Sequence, residues 1–258
     1  MLVNETITNA EVWHNVTESE IEEFENLDKL FFRRVLIVPK STPIESFYLE
    51  LGEIPIGIMI KARIINYLHS ILSRDKNGML YSFFTTQWNS PSKGDWTELV
   101  QKDLEDFNIP CSFNFILSKS KEASKNLVKR KTKEYAIKVL RKKQDTHSKM
   151  KNMNYEEIKI QKYLIREDIS YEQKKIVFKF RTQMAIFGEN YRGGRVEVIC
   201  PLCETHLDKQ ELSYECPTIK KEVAITGSFS DIYSEEIELN TVETIKKITE
   251  VRKEMLQD

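Results

Sequence analysis

Residues 56–73 read IGIMIKARIINYLHSILS, and the placing of their apolar side chains decides the fold class. Ile58, Met59, Ala62, Ile65, Leu68, His69 and Leu72 fall on one nearly continuous apolar face at helical spacing. A helix this apolar belongs at the centre of a core, so its neighbours must cover it. Upstream, Thr17-Glu18-Ser19-Glu20 has the form of a capping box. Ile21, Phe24, Leu27, Leu30 and Phe31 then draw an apolar stripe on a helix that is expected to stop before Pro39. Thr42 as cap with Pro43 at the first position starts a second helix, which runs through Phe47, Leu49 and Leu51 to Gly52. Downstream, Asp75-Lys76-Asn77-Gly78 makes a turn, followed by helices over Met79 to Asn89 and Asp95 to Phe107. Short connections between these segments predict an antiparallel bundle.

The chain has 258 residues, 31% of them charged, and a net charge of −1, but the charge is segregated. Residues 1–118 balance to −7, residues 119–151 to +10 and residues 152–258 to −4. The basic block reads as one helix from Ser118 to Lys143. Leu127, Val128, Tyr135, Ile137, Val139 and Leu140 supply a thin apolar stripe, and the other faces are basic. A cationic block between acidic ones is the footprint expected for a polyanion, most simply a nucleic-acid backbone. Its candidate contacts are Lys125, Lys129, Arg130, Lys131, Lys133, Lys138, Arg141 and Lys142. Arg192 and Arg195, beside Tyr191 and two glycines, are further candidates on a loop. A solvated basic helix, or one clamped onto the acidic N-terminal part, is the plainer reading of the same charge.

Three of the four cysteines and one histidine fall within seventeen residues, in Cys200-Pro201-Leu202-Cys203-Glu204-Thr205-His206 and Cys216-Pro217. Two cysteines at i and i+3 around a tight turn can aim both thiolates at one ion. A soft tetrahedral ion such as zinc takes four sulfur or imidazole donors. Cys200, Cys203, His206 and Cys216 are therefore the candidate ligands of one structural zinc, with Asp208 or Glu211 as oxygen donors should His206 point away. Three thiols packed in a small core are the alternative. Helix from Tyr171 to Phe187, strand over Val196 to Ile199 and a last helix from Thr241 to Met255 frame this element. The expected fold is mainly α: a helical bundle, a small zinc-knuckle-like strand and turn, and a C-terminal helix. The expected divisions are 1–117, 118–151 and 152–258. Cys111 reads as a packed thiol, His69 as a core residue, His14 and His147 as solvent-facing, and Trp13, Trp88 and Trp96 as packing residues.

Three stretches resemble the region downstream of the reverse transcriptase in non-LTR (LINE-type) retrotransposon polyproteins. They are Lys40-Ser41-Thr42-Pro43 running into Tyr48-Leu49-Glu50-Leu51-Gly52-Glu53-Ile54-Pro55-Ile56, then Ile60-Lys61-Ala62-Arg63-Ile64, and Phe180-Arg181-Thr182-Gln183-Met184 ahead of the cysteines. The resemblance implies a helical region that ends in a zinc-binding knuckle and holds template RNA or target DNA without catalysis. Two departures stand out. The chain contains no Asp-Asp dipeptide of the kind that holds a polymerase's magnesium ions. The family's histidine shortly before the last cysteine is replaced by Leu212, so His206 would have to fill that role.

No P-loop, Gly-x-Gly nucleotide motif or Gly-x-Ser-x-Gly elbow occurs, and no small-molecule substrate is implied. No stretch approaches the roughly 20 apolar residues of a membrane span. The opening residues lack the basic and apolar regions of a secretion signal, so the chain is expected inside the cell, in cytoplasm or nucleus. Three functional readings stand: a non-catalytic nucleic-acid-binding region with RNA or DNA as partner, a helical protein-interaction module, and a decayed mobile-element reading frame. Oligomeric state is left open by the sequence.

Overall fold

The computed structural model describes residues 9–10, 16–150, 152–191 and 198–256. Among them the chain is mainly helical, with twelve α-helices and no strand. These are α1 (Glu18–Leu36), α2 (Ile44–Leu51), α3 (Ile56–Leu72), α4 (Met79–Asn89), α5 (Trp96–Asp106), α6 (Phe113–Leu117), α7 (Lys121–Gln144), α8 (Lys162–Ile165), α9 (Tyr171–Arg181), α10 (Gly188–Tyr191), α11 (Pro217–Glu222) and α12 (Leu239–Met255). They form two compact units whose segments interleave along the sequence. The first holds residues 1–30, 54–141 and 156–158, and the second holds 31–53, 142–155 and 159–258.

In the first unit α3 is the central helix, as its sequence demands, and packs on α4, α5 and α6. Ile58, Ile60, Ile64, Ile65, Leu68, Ile71 and Leu72 are buried together with Val100 and Leu104 of α5. Phe84, Trp88, Trp96 and Phe113 close the other side as an aromatic cluster, with ring centroids 4.9–5.8 Å apart. His69 is buried in this core, its ring nitrogens 3.3 Å from the Lys119 carbonyl and 3.3 Å from the Ser73 hydroxyl. Lys61 reaches Asp103 at 2.9 Å and Asp106 at 2.7 Å. Burial opposes its charge, but the two carboxylates prevail and raise its pKa.

The apolar stripe read on α1 does not hold to one side of the helix in the structure. Its capping box forms, since Glu20 N–H donates to Thr17 Oγ1 and Thr17 N–H donates to the Glu20 carboxylate. Yet Leu27 is 60% exposed, Leu30 54% and Phe31 48%. Steps of three residues fall back about 60° per step on a helix turning about 100° per residue, so Leu30 lies opposite Ile21. Ile21 faces Gly57 of α3, and the buried Phe32 and Leu36 share its side of the helix.

The second unit is built on α9, which packs against α12 and the 3-10 turn Phe229–Tyr233. Its N-terminus carries a capping box missed in the sequence, in which Gln173 N–H donates to Ser170 Oγ and Ser170 N–H donates to Gln173 Oε1. The helix ends at Arg181 rather than Phe187 because Gln183 takes a left-handed backbone, φ 52°, and Met184 N–H closes back on the Lys179 carbonyl. Arg181 is 2% exposed and pairs at 2.8 Å with Glu50, which is fully buried. Its other nitrogens donate to Tyr155 Oη at 2.9 Å and to the Ile232 carbonyl at 2.6 Å. The rings of Tyr155, Tyr163 and Tyr233 surround the guanidinium at 5.5–5.9 Å. A charge this deep in the core is held only because every face of it meets a carboxylate, a carbonyl, a hydroxyl or a π-face. Gly52, φ 69°, ends α2 where its Cα lies against the Lys159–Ile160 backbone, and Leu51 bridges antiparallel to Ile160.

Candidate metal centre and basic helix

The loop from Cys200 to Leu207 is closed by backbone bonds at its base. Cys200 N–H donates to the His206 carbonyl at 2.7 Å, Asp208 N–H donates to the Val198 carbonyl at 2.6 Å, and Ile199 bridges antiparallel to Leu207. The expected strand is reduced, among the described residues, to that single bridge, while Val196 and Glu197 lie outside the described residues. At the tip, Glu204 N–H returns to the Cys200 carbonyl at 2.9 Å, and Glu204 takes a left-handed φ of 54°. Pro217 opens α11 directly after Cys216, and Thr218 Oγ1 donates to the Leu202 carbonyl at 2.9 Å. These contacts bring the third cysteine to the first two.

The sulfurs of Cys200, Cys203 and Cys216 all lie within 4.8 Å of one another. Zinc–sulfur bonds of about 2.3 Å place tetrahedral ligands about 3.8 Å apart, so this group could hold a metal ion after a small contraction. Cys200 and Cys216 are buried and Cys203 is partly exposed. Burial raises the Cys203 thiol, but hydrogen bonds from Thr205 and His206 outweigh it and bring its pKa down to about 5. The Cys216 thiol moves the other way, raised first by burial.

His206 lies beside one of the converging sulfurs but outside the group the three form. Its Nδ1 is 3.7 Å from Cys203 Sγ and 3.0 Å from Thr205 Oγ1, but it does not lie within 4.8 Å of all three. The two oxygen donors considered in its place are corrected. Asp208 is buried against Arg252 at 2.9 Å and accepts from Gly188 N–H at 2.6 Å, so its carboxylate is already engaged; Glu211 is exposed and outside the sulfur group. The Asp208–Arg252 pair was not foreseen in the sequence, since 44 positions separate the two residues. It ties the residue after the loop to α12. Gly188 has no room for a side chain there, because a Cβ would sit 2.6 Å from Val198 Cγ1.

The basic block is a single helix, α7, with ten Lys or Arg and two Glu in 24 residues. Its buried line is Ser124, Val128, Thr132, Ala136 and Leu140, a strict i, i+4 series. Lys125, Lys129, Arg130, Lys133, Lys138, Arg141 and Lys142 are exposed. Arg130 and Lys131 share Glu134, each at 2.8 Å, and the hydrogen bond from Lys131 leads in lowering the Glu134 pKa. Lys131 is therefore partly covered and neutralised, which its position in a basic run did not reveal. Arg192 and Arg195 lie outside the described residues.

No protein-family model matches the chain, and neither the curated proteins nor the solved structures contain a match to it. No helix among the described residues is long and apolar enough to cross a membrane.

Proposed function

We propose that the chain is a non-catalytic nucleic-acid-binding region related to the one that follows the reverse transcriptase in LINE-type retrotransposon polyproteins, stabilised by one zinc ion. The observation that carries this reading is α7. One line of residues is buried, and cations occupy most of the remaining surface over about 36 Å of helix, from its 24 residues at 1.5 Å each. Such a rod tracks phosphates without reading base sequence. Cys200, Cys203 and Cys216 supply thiolates, the donors zinc prefers, and His206, 3.7 Å from the Cys203 sulfur, is the imidazole that would complete the set. A bound zinc would staple the loop to α11 and add its binding free energy to folding.

The test joins elemental analysis to binding measurements. Purified protein is expected to carry one zinc per chain, lost in the Cys200→Ser/Cys203→Ser double variant. It is also expected to bind duplex DNA and single-stranded RNA with an affinity that falls steeply as salt rises. Zinc-free folded protein refutes the metal assignment. Absence of salt-sensitive binding to either nucleic acid refutes the functional one.

A further inference from the structure

Two surfaces are left over by the folded units, and they complement each other. The first is a cavity of about 180 Å³ in the second unit, walled by Ile186, Phe187 and Leu256 and lined by very little polar surface. It is smaller than the roughly 300–1,000 Å³ of small-molecule sites and suits one large aliphatic side chain. A nucleobase would leave its polar edge unpaired there. Its one exposed charge is Lys253, at the rim. Lys253 and Lys175 lie close enough to Lys179 that, after burial, their like charges press its pKa down. Lys175 pairs with Glu172 at 2.6 Å, whereas Lys179 and Lys253 have no ion-pair partner among the described residues.

The second surface is the outer face of α1. Glu23, Leu27 and Leu30 follow at spacings of four and three and so share one side of the helix, and all three are exposed. Residues 18–28 hold six carboxylates and no Lys or Arg. Neither Glu22 nor Glu23 has an ion-pair partner among the described residues. The cavity is an apolar hole with a cationic rim, and α1 is an apolar ridge with carboxylates at its N-terminal end, the end meant for the rim, while the exposed Arg34 closes the same face at the other end.

We propose that the cavity is a docking site for α1 of a second copy of this chain, with Leu27 or Leu30 seated between Ile186 and Leu256 and Glu23 facing Lys179 and Lys253. Ridge and hole are different patches, so the contact is head-to-tail and continues from copy to copy unless rotation closes a ring. The proposal does not depend on nucleic-acid binding. One side chain and a few exposed charges give a weak, salt-sensitive association.

The test is sedimentation analysis of the intact chain over a broad concentration series. Wild type is expected to grow with concentration and to dissociate as salt rises. Lys179→Glu/Lys253→Glu removes the rim, and Leu27→Glu/Leu30→Glu removes the ridge. Each changes exposed or half-exposed side chains, and each should remain monomeric with unchanged circular dichroism. Mixed together, the first variant still has a ridge and the second still has a hole, so the mixture is expected to give a complex that stops at 1:1. Monomeric wild type overturns the proposal, as does association that survives either pair of changes or a mixture that fails to pair. If the rim variant instead loses RNA binding while self-association is untouched, the cavity serves a nucleic acid and the proposal falls.

Discussion

Neutralising one face of α7 gives a quantitative test of the phosphate-binding role. Lys125, Lys129 and Lys133 are exposed and follow at i, i+4 spacing, while Arg130 and Lys131 already share Glu134. If all three lysines meet phosphates of a duplex, replacing them with Gln removes three counterion-releasing contacts. The slope of log K against log salt should then become shallower by about 2.7, from about 0.9 per contact. On a single strand the change is about 2.1, from about 0.7 per contact. Glu134→Gln works in the opposite direction. It frees Arg130 and Lys131 and should steepen the duplex slope by up to about 1.8 by the same arithmetic. Fluorescence anisotropy with labelled DNA and RNA across a salt series reads both variants against wild type. Binding that weakens equally at every salt concentration, with an unchanged slope and intact helicity, would remove α7 from the interface.

The buried pair in the second unit makes a sharp stability prediction. Glu50→Gln should cost about 3–5 kcal/mol because Arg181 stays charged and loses the one carboxylate it pairs with among the described residues, while Glu50→Leu with Arg181→Met should recover most of that loss. Additivity of the single changes within about 0.5 kcal/mol in urea unfolding would show that the pair is not coupled. Gly188→Ala should destabilise by about 1–3 kcal/mol through overpacking against Val198, measured the same way; a neutral result would mean that the loop yields freely. In metal-free protein, the Cys203 thiol titrates at about 5 when folded against an ordinary 9.0. A depressed pKa stabilises the fold at high pH, so stability should fall as pH drops from about 9 toward 5. Cys203→Ser should flatten that dependence, and an unchanged pH profile in the variant would assign it to other groups.

Much of the architecture was legible in the sequence because it rests on local patterns. The apolar face of residues 56–73, the glycine after α2, the turn at Asp75–Gly78 and the basic run of α7 each announce a helix or its end without reference to anything distant. The stripe on α1 misled because Ile21, Phe24, Leu27 and Leu30, spaced by three, cannot hold one face; only the partners of Ile21 and Phe32 decide which side turns inward. The cysteines were legible as a group, since spacing and residue type carry the chemistry. His206 was harder to place, because a short loop sets its distance from three sulfurs through backbone turns that composition does not encode. The pairs Glu50–Arg181 and Asp208–Arg252 join residues 131 and 44 positions apart, and nothing local marks either residue for its partner.

The separation of Glu50 from Arg181 also has a consequence for synthesis of the chain. A ribosome adding roughly 5–20 residues per second makes Glu50 and then takes about 7–26 s to reach Arg181, and longer to reach the carbonyl of Ile232. For that interval an acidic side chain and the neighbouring Phe47, Tyr48 and Leu49, all bound for the interior, have no finished core to enter. Because the two units trade segments, emergence of α12, rather than growth of the N-terminal half, sets when the second unit can close. Fragments cut at linear boundaries would each lack part of a core, so the chain is best produced whole.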